Sequence, residues 1–172
     1  FVKIIHEESL RLTRLLDEIL EISRLEQSQL GINLQKIDPE PVIDRAIDSC
    51  RGLAQTSNVD LTSGHREQSL FVQSDGDRLH QVIINLITNA VKYNTSNDPV
   101  VRIESFIRDE HFEILISDNG PGISDADRVF DKFSRGRSEY PAGTVGTGLG
   151  LAINRQQIIN MNGNLDLVDT NM

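Results

Sequence analysis

The chain has 172 residues, 38% hydrophobic and 25% charged, the profile of one folded domain with its own core plus an appendage of a few turns. Its net charge of −9 argues against a nucleic-acid partner, which needs clustered Lys and Arg to neutralise phosphates. A single cysteine, Cys50, excludes an internal disulfide and favours a reducing compartment, and no apolar run approaches the roughly 18 residues of a helical membrane span.

Residues 1–27 read as one helix: Ile5, Leu12, Leu15, Ile19 and Ile22 fall on one face, Leu16 and Leu20 widen it, and Glu8 interrupts it. Such a stripe needs cover, either from a partner helix in a bundle or from the chain's own domain. Phe1 already lies in this pattern, with no signal peptide before it, so the sequence reads as a piece of a longer protein. Gly31 ends the helix, and Asp38-Pro39-Glu40-Pro41 reads as a linker or turn.

From Val42 to about Ser57 the period is again helical, followed by candidate strands at Val59–Thr62 and Leu70–Gln73. Asp77 to Tyr93 is strongly helical, with Leu79, Val82, Ile83, Leu86, Ile87 and Ala90 on the buried face. Val100–Arg108 and His111–Ser117 read as a hairpin around Asp109-Glu110. Residues 119–147 lack sustained periodicity apart from Val129–Phe133; Leu149–Met161 reads as a closing helix and Asn164–Val168 as the start of a strand. Mixed helices and strands without regular βαβ alternation predict an α+β layered sandwich.

Three segments carry chemistry. On helix 77–93, Asn85 and Asn89 stand four apart and Lys92 three further, so two amides and an ammonium share a face. That set suits a hydrated Mg²⁺ and the phosphates it bridges, or else is a pair of solvated asparagines near a helix end capped by Asn94. In Ile116-Ser117-Asp118-Asn119-Gly120-Pro121-Gly122-Ile123, a strand runs into a glycine turn. An Asp there accepts from an exocyclic amine while glycines admit a flat ring, although Asp-Gly surface turns are common. In Gly143-Thr144-Val145-Gly146-Thr147-Gly148-Leu149-Gly150-Leu151, a glycine loop feeds a helix N-terminus, a phosphate-binding junction that is neither a Rossmann nor a Walker loop.

Taken in order, these segments resemble the N, G1 and G2 boxes of the Bergerat-fold ATPases: gyrase, heat-shock chaperone ATPases, mismatch-repair ATPases and histidine kinases. Val129-Phe130-Asp131-Lys132-Phe133-Ser134-Arg135-Gly136 resembles an F box, and Arg11-Leu12 through Leu25-Glu26 resembles the second helix of a dimerisation and phosphotransfer domain. Both point to the histidine kinases. The resemblance implies a two-layer α/β sandwich with a mixed sheet covered by helices, preceded by a long bundle-forming helix. It divides the chain into a partial phosphotransfer helix at 1–30, a linker at 31–41, and an ATP-binding catalytic domain at 42–172 lacking its last strand.

The resemblance further implies ATP and Mg²⁺ as cofactors. Asp118 is expected at the adenine amine with Gly122 beside the ring, and Asn89, helped by Asn85, at the metal. Tyr93, Gly120, Ile123, Phe133, Thr147 and Leu149 join the expected nucleotide set. Gly146, Gly148 and Gly150 are expected to offer N–H groups to phosphate. Asn85, Lys92 and Arg135 are the candidate catalytic residues, Arg135 near the γ-phosphate under a lid at 134–147. Implied partners are a second protomer, through the parent's helix bundle, and a response-regulator receiver domain. Neither nucleic acid nor membrane is an expected contact, the location is expected to be cytoplasmic, and anchoring of the parent is left open.

The sequence departs from the family at the phosphoryl acceptor, a His-Glu followed closely by proline. After His6-Glu7 the proline position holds Arg11, so the acceptor is expected on a helix missing from this chain. The alternatives are a protein kinase of this fold with a serine acceptor, a non-catalytic signalling scaffold, and an ATPase of the same fold coupled to conformational change. The last of these commonly carries an acidic residue where this chain has Asn85.

Overall fold

A computed structural model describes residues 31–66, 70–123, 126–134 and 147–168, together with Ile5, His6, Ser9, Leu12, Thr13, Leu16, Asp17 and Leu20. Those eight N-terminal residues are helical and exposed. Four of them, Ile5, Leu12, Leu16 and Leu20, belong to the predicted stripe and are 53–64% exposed. Gly31, at φ +104°, stands where the helical pattern was expected to end.

The chain divides into two compact units, one comprising 33–124 and 138–144, the other 1–32, 125–137 and 145–172. The first unit contains β1 (Gln35–Ile37), α1 (Pro39–Thr56), β2 (Asp60–Ser63), β3 (Val72–Ser74), α2 (Gly76–Tyr93), β4 (Val100–Arg108) and β5 (His111–Asp118). β1 pairs antiparallel with β3, while β4 pairs parallel with β2 and antiparallel with β5, giving a mixed three-stranded sheet. α1 and α2 pack on each other, α2 also against β4 and β5, and α1 against β2. The core is built from Val42, Ile43, Ala46, Ile47, Cys50 and Ala54 on α1, Leu79, Val82, Ile83, Ile87 and Val91 on α2, and Val101 and Ile103 on β4. This is the two-layer α+β sandwich expected, with a small second sheet added.

Local chemistry explains the element ends. Asp38 caps α1, accepting from the Glu40 N–H at 3.1 Å, and Pro39 fills the first helical position, where its missing donor costs nothing. The segment read as linker or turn is therefore a helix start. Asn58, left-handed at φ +54°, closes α1, and the Val59 N–H returns to the Ala54 carbonyl at 2.9 Å. Glu40 anchors this helix to the sheet, accepting from Ser105 Oγ at 2.5 Å and pairing with Arg66. In the hairpin, Asp109 and Glu110 both have positive φ, +48° and +63°, matching the two-residue turn predicted there. Cys50 is buried, and burial pushes its thiol up against the opposing hydrogen bond from Thr88, leaving an unreactive core side chain.

Two further expectations fail, both at strands. β1 lies within the stretch read as linker, its three residues too few to show an alternation. Asn164–Val168 forms no strand. The described residues of its unit include no strand for it to pair with, Leu167 and Val168 are exposed, and Asn164 Nδ2 donates to Asp166 Oδ2 instead.

α2 begins at Asp75, whose carboxylate accepts from the N–H groups of Asp77 (3.2 Å) and Arg78 (3.1 Å) and, through its other oxygen, from Asn33 (3.0 Å). Burial pushes this carboxyl up, but those three donors and the Arg78 charge outweigh it and hold it below its ordinary value. Asp75→Ala is predicted to lower unfolding free energy by about 1–2 kcal/mol in urea melts at neutral pH. A carboxyl lowered in the folded state stabilises fully above the ordinary value of 3.8 and loses that contribution as pH falls through its native value, so the variant's deficit should shrink in acid.

Candidate functional site

α2 carries Asn85 and Asn89 half-buried one turn apart, with Lys92 exposed and Tyr93 half-buried in the last turn. An ammonium in the last turn also suits the negative end of the helix dipole. Of the predicted buried face, Leu86 and Ala90 are half-buried and Val91 takes the core position.

Where α2 stops, it meets the end of β5. Asn94 follows the helix in an extended conformation (φ −76°, ψ 112°) rather than as a left-handed cap, and its Nδ2 donates to Asn119 Oδ1 at 2.9 Å. The register of β5 on β4 pairs Asp118 with Val101, leaving the Asp118 carboxylate exposed at the strand end. Asp118 Oδ1 accepts from the Gly120 N–H at 2.9 Å, an Asx turn. A Cβ at Gly120 would lie 2.6 Å from that oxygen and 3.3 Å from the Asn94 Cα, so a side chain there would push the Asp118 carboxylate out of this turn. Gly122 has φ +74° with open space around it, and Ile123 beside it is 45% exposed. The helix that carries Asn85, Asn89, Lys92 and Tyr93 thus ends at the corner that holds Asp118, Gly120, Gly122 and Ile123.

The second unit joins two other motifs. A 3₁₀ turn, Ala126–Arg128, leads to Phe133, exposed at φ +63°, whose N–H donates to the Gly148 carbonyl at 2.9 Å. Gly148 (φ +75°) runs so close that a Cβ would lie 2.7 Å from the Ser134 carbonyl oxygen. Thr147 Oγ1 accepts from the Leu149 N–H at 3.3 Å, and Leu149 and Ile153 form a buried pair. α3 (Gly150–Asn160) then starts with no side chain capping it, which leaves its first N–H groups to other acceptors. Arg155 on α3 sits over the Phe130 ring at 4.7 Å, tying the aromatic segment to this helix. Arg135 and Gly146, along with most of the expected lid, lie outside the described residues.

Residues 74–171 match the family described as "Histidine kinase-, DNA gyrase B-, and HSP90-like ATPase". The chain belongs to that ATPase family. Among curated proteins it is 30% identical to the sensor protein kinase WalK of Staphylococcus aureus over 96% of this chain and 27% of that protein. With the sensor-like histidine kinase SenX3 of Mycolicibacterium smegmatis it shares 33% identity over 93% of this chain and 42% of that protein. The chain therefore spans less than half the length of these relatives. Among solved structures it is similar to the Acinetobacter baumannii histidine kinase AdeS, with TM-score 0.71 and 25% identity over 92% of this chain and 72% of that one.

Asn94 and Asn119 escaped the sequence reading as functional candidates, although an Asn between Asp118 and Gly120 was a local signal for side-chain-to-backbone bonding. The Gly148 geometry gives a direct test. Gly148→Ala is predicted to cost about 2–3 kcal/mol, from backbone strain plus overlap with Ser134, and Gly122→Ala about 1 kcal/mol from strain alone. Urea melts of both variants check the order, and equal costs would contradict the packing described at Gly148.

Proposed function

We propose that the chain is the ATP-binding catalytic portion of a sensor histidine kinase, which passes the γ-phosphate of ATP to a histidine of the parent outside this chain, for relay to a response regulator. The observation that carries the reading is the corner where α2 and the Asp118 turn meet. The helix that ends there carries two half-buried amides and an exposed ammonium, and the turn carries an exposed strand-end carboxylate, in a chain of this ATPase family.

Asp118 is proposed to accept from the adenine amine, Gly120 and Gly122 to admit the ring, and Ile123 and Tyr93 to flank the nucleoside. Among the described residues no group of three or more His, Cys, Asp and Glu side chains could hold a metal ion. Mg²⁺ is assigned to the amide oxygens of Asn89 and Asn85, four apart on one helix, together with the nucleotide phosphates, an oxygen shell of the kind it prefers. Bound there, Mg²⁺ would neutralise phosphate charge. Lys92 would add a point charge on the same side, and Arg135 is proposed to stabilise the transferring phosphoryl group. The glycine run Gly146–Gly150, with Thr147 and Leu149, is assigned to phosphate and Phe133 to the nucleotide, on their sequence and on the close turn at Gly148.

The histidines support an acceptor elsewhere. His65 stacks on Phe106, His111 Nδ1 lies 2.8 Å from its own hairpin carbonyl at Asp109, and His80 lies on α2. His6 is exposed on the N-terminal helix, without the proline context. The exposed stripe Ile5, Leu12, Leu16 and Leu20 supports assembly of the parent as a homodimer through a helix bundle. A cytoplasmic location for this portion, with the parent free or membrane-anchored, completes the proposal.

Calorimetric titration with Mg-ATP should give saturable binding that Asp118→Asn weakens by about 10- to 100-fold, the scale of one charged hydrogen bond. Unchanged affinity would sink the adenine assignment. Incubation with γ-labelled ATP should leave this chain unlabelled, and a stable phosphoryl label on His6 would contradict the acceptor assignment.

A further inference from the structure

Asn119 is exposed, and nothing about burial requires an amide there. Its side chain nonetheless uses its whole hydrogen-bonding capacity. Oδ1 accepts from the Val100 N–H at 2.8 Å and from Asn94 Nδ2 at 2.9 Å. Nδ2 donates to the Asp98 carbonyl at 2.8 Å and to Ser96 Oγ at 3.3 Å. Two lone pairs and two N–H donors are all an asparagine has. A backbone donor at Val100 and a backbone acceptor at Asp98 also fix which way the amide faces.

These partners all lie in residues 94–100, the connection from α2 to β4 and the first residue of that strand. Asn94 adds two bonds of its own, donating to the Val100 carbonyl at 3.3 Å and accepting from the Ser96 N–H at 3.1 Å. The Asn119 N–H donates to the same Val100 carbonyl at 3.3 Å. The connection is thus clamped as one body onto the residue next to Asp118. On its near side it continues into the helix that presents Asn85, Asn89 and Lys92.

We propose that Asn119 is a positioning residue for nucleotide recognition: by clamping residues 94–100 it fixes the Asp118 carboxylate relative to the asparagine face of α2. This rests on the nucleotide reading above. Asp118 is proposed to accept from the amine on C6 of adenine, where guanine carries a carbonyl that would face the carboxylate acceptor to acceptor. Discrimination between the two bases therefore depends on where that carboxylate is held. Loosening the clamp should weaken ATP and also narrow its advantage over GTP, whereas a loss of stability alone would leave the ratio unchanged.

The test measures Mg-ATP and Mg-GTP dissociation constants of the full chain by calorimetry, with thermal melts alongside. Asn119→Ala is expected to weaken ATP at least tenfold and to shrink the ATP-to-GTP preference several-fold. Asn94→Ala should move both in the same direction by less, and Asn97→Ala, an exposed residue of the same connection whose side chain makes none of the bonds above, should match wild type. In an Asp118→Asn background Asn119→Ala should add little, because it acts through that carboxylate. Asn119→Asp keeps an acceptor for Val100 but sets an oxygen against the Asp98 carbonyl. It is expected to show a several-fold loss, and it decides the matter if Asn119→Ala does not fold. Wild-type ATP affinity and base preference in a folded Asn119→Ala, or in Asn119→Asp, would overturn the assignment. A wild-type chain that binds neither nucleotide would overturn the underlying nucleotide reading instead, and this assignment with it.

Discussion

The antiparallel pairing of β4 with β5 is the constraint on which the first unit depends. It carries the longest ladder described, from Arg108 opposite His111 to Val101 opposite Asp118. β4 also pairs with β2 and gives the core Val101 and Ile103, against which the helical layer closes. Because side chains alternate along a strand, a slip of one residue would exchange the buried Val101 and Ile103 for the exposed Arg102. The same slip would move Asp118 off the corner reached by α2. Core packing and site geometry are therefore set by one register.

At the open end of that ladder the backbone runs out of strand partners, and side chains take over. Asn119 and Asn94 satisfy the donors and acceptors of the α2–β4 connection, and Gly120 lets Asp118 fold back on its own turn. At the other end of α2, Asp75 performs the equivalent task for the first helical N–H groups and holds Asn33 as well. The helix that presents the two candidate metal-binding asparagines is thus tied down at both ends by charge-assisted or saturated polar contacts.

Long elements were legible in the sequence because each is amphipathic over many residues. The apolar period from Leu79 to Ile87 located α2, and the alternation across Val100–Ser117 located the hairpin with the left-handed pair Asp109-Glu110 at its tip. β1 was invisible since three residues cannot display a period. Asp38-Pro39 fits both a turn and a helix start, and only the Glu40 N–H bond separates the two. The candidate site was proposed from an ordered set of motifs, each ambiguous alone, and the family match over residues 74–171 covers that set. The clamp was not legible, since Asn119 bonds residues 19 to 25 positions away, and no local pattern records such partners.

The central claim is that one nucleotide engages both the asparagine face of α2 and the Asp118 turn. Titration of isotope-labelled chain with Mg-ATP, followed by the side-chain amide signals of Asn85 and Asn89 and the backbone signals of Gly120 and Gly122, tests it most directly. The account predicts saturable shifts at both groups described by a single dissociation constant. Shifts at one group only, or two unrelated constants, would contradict it.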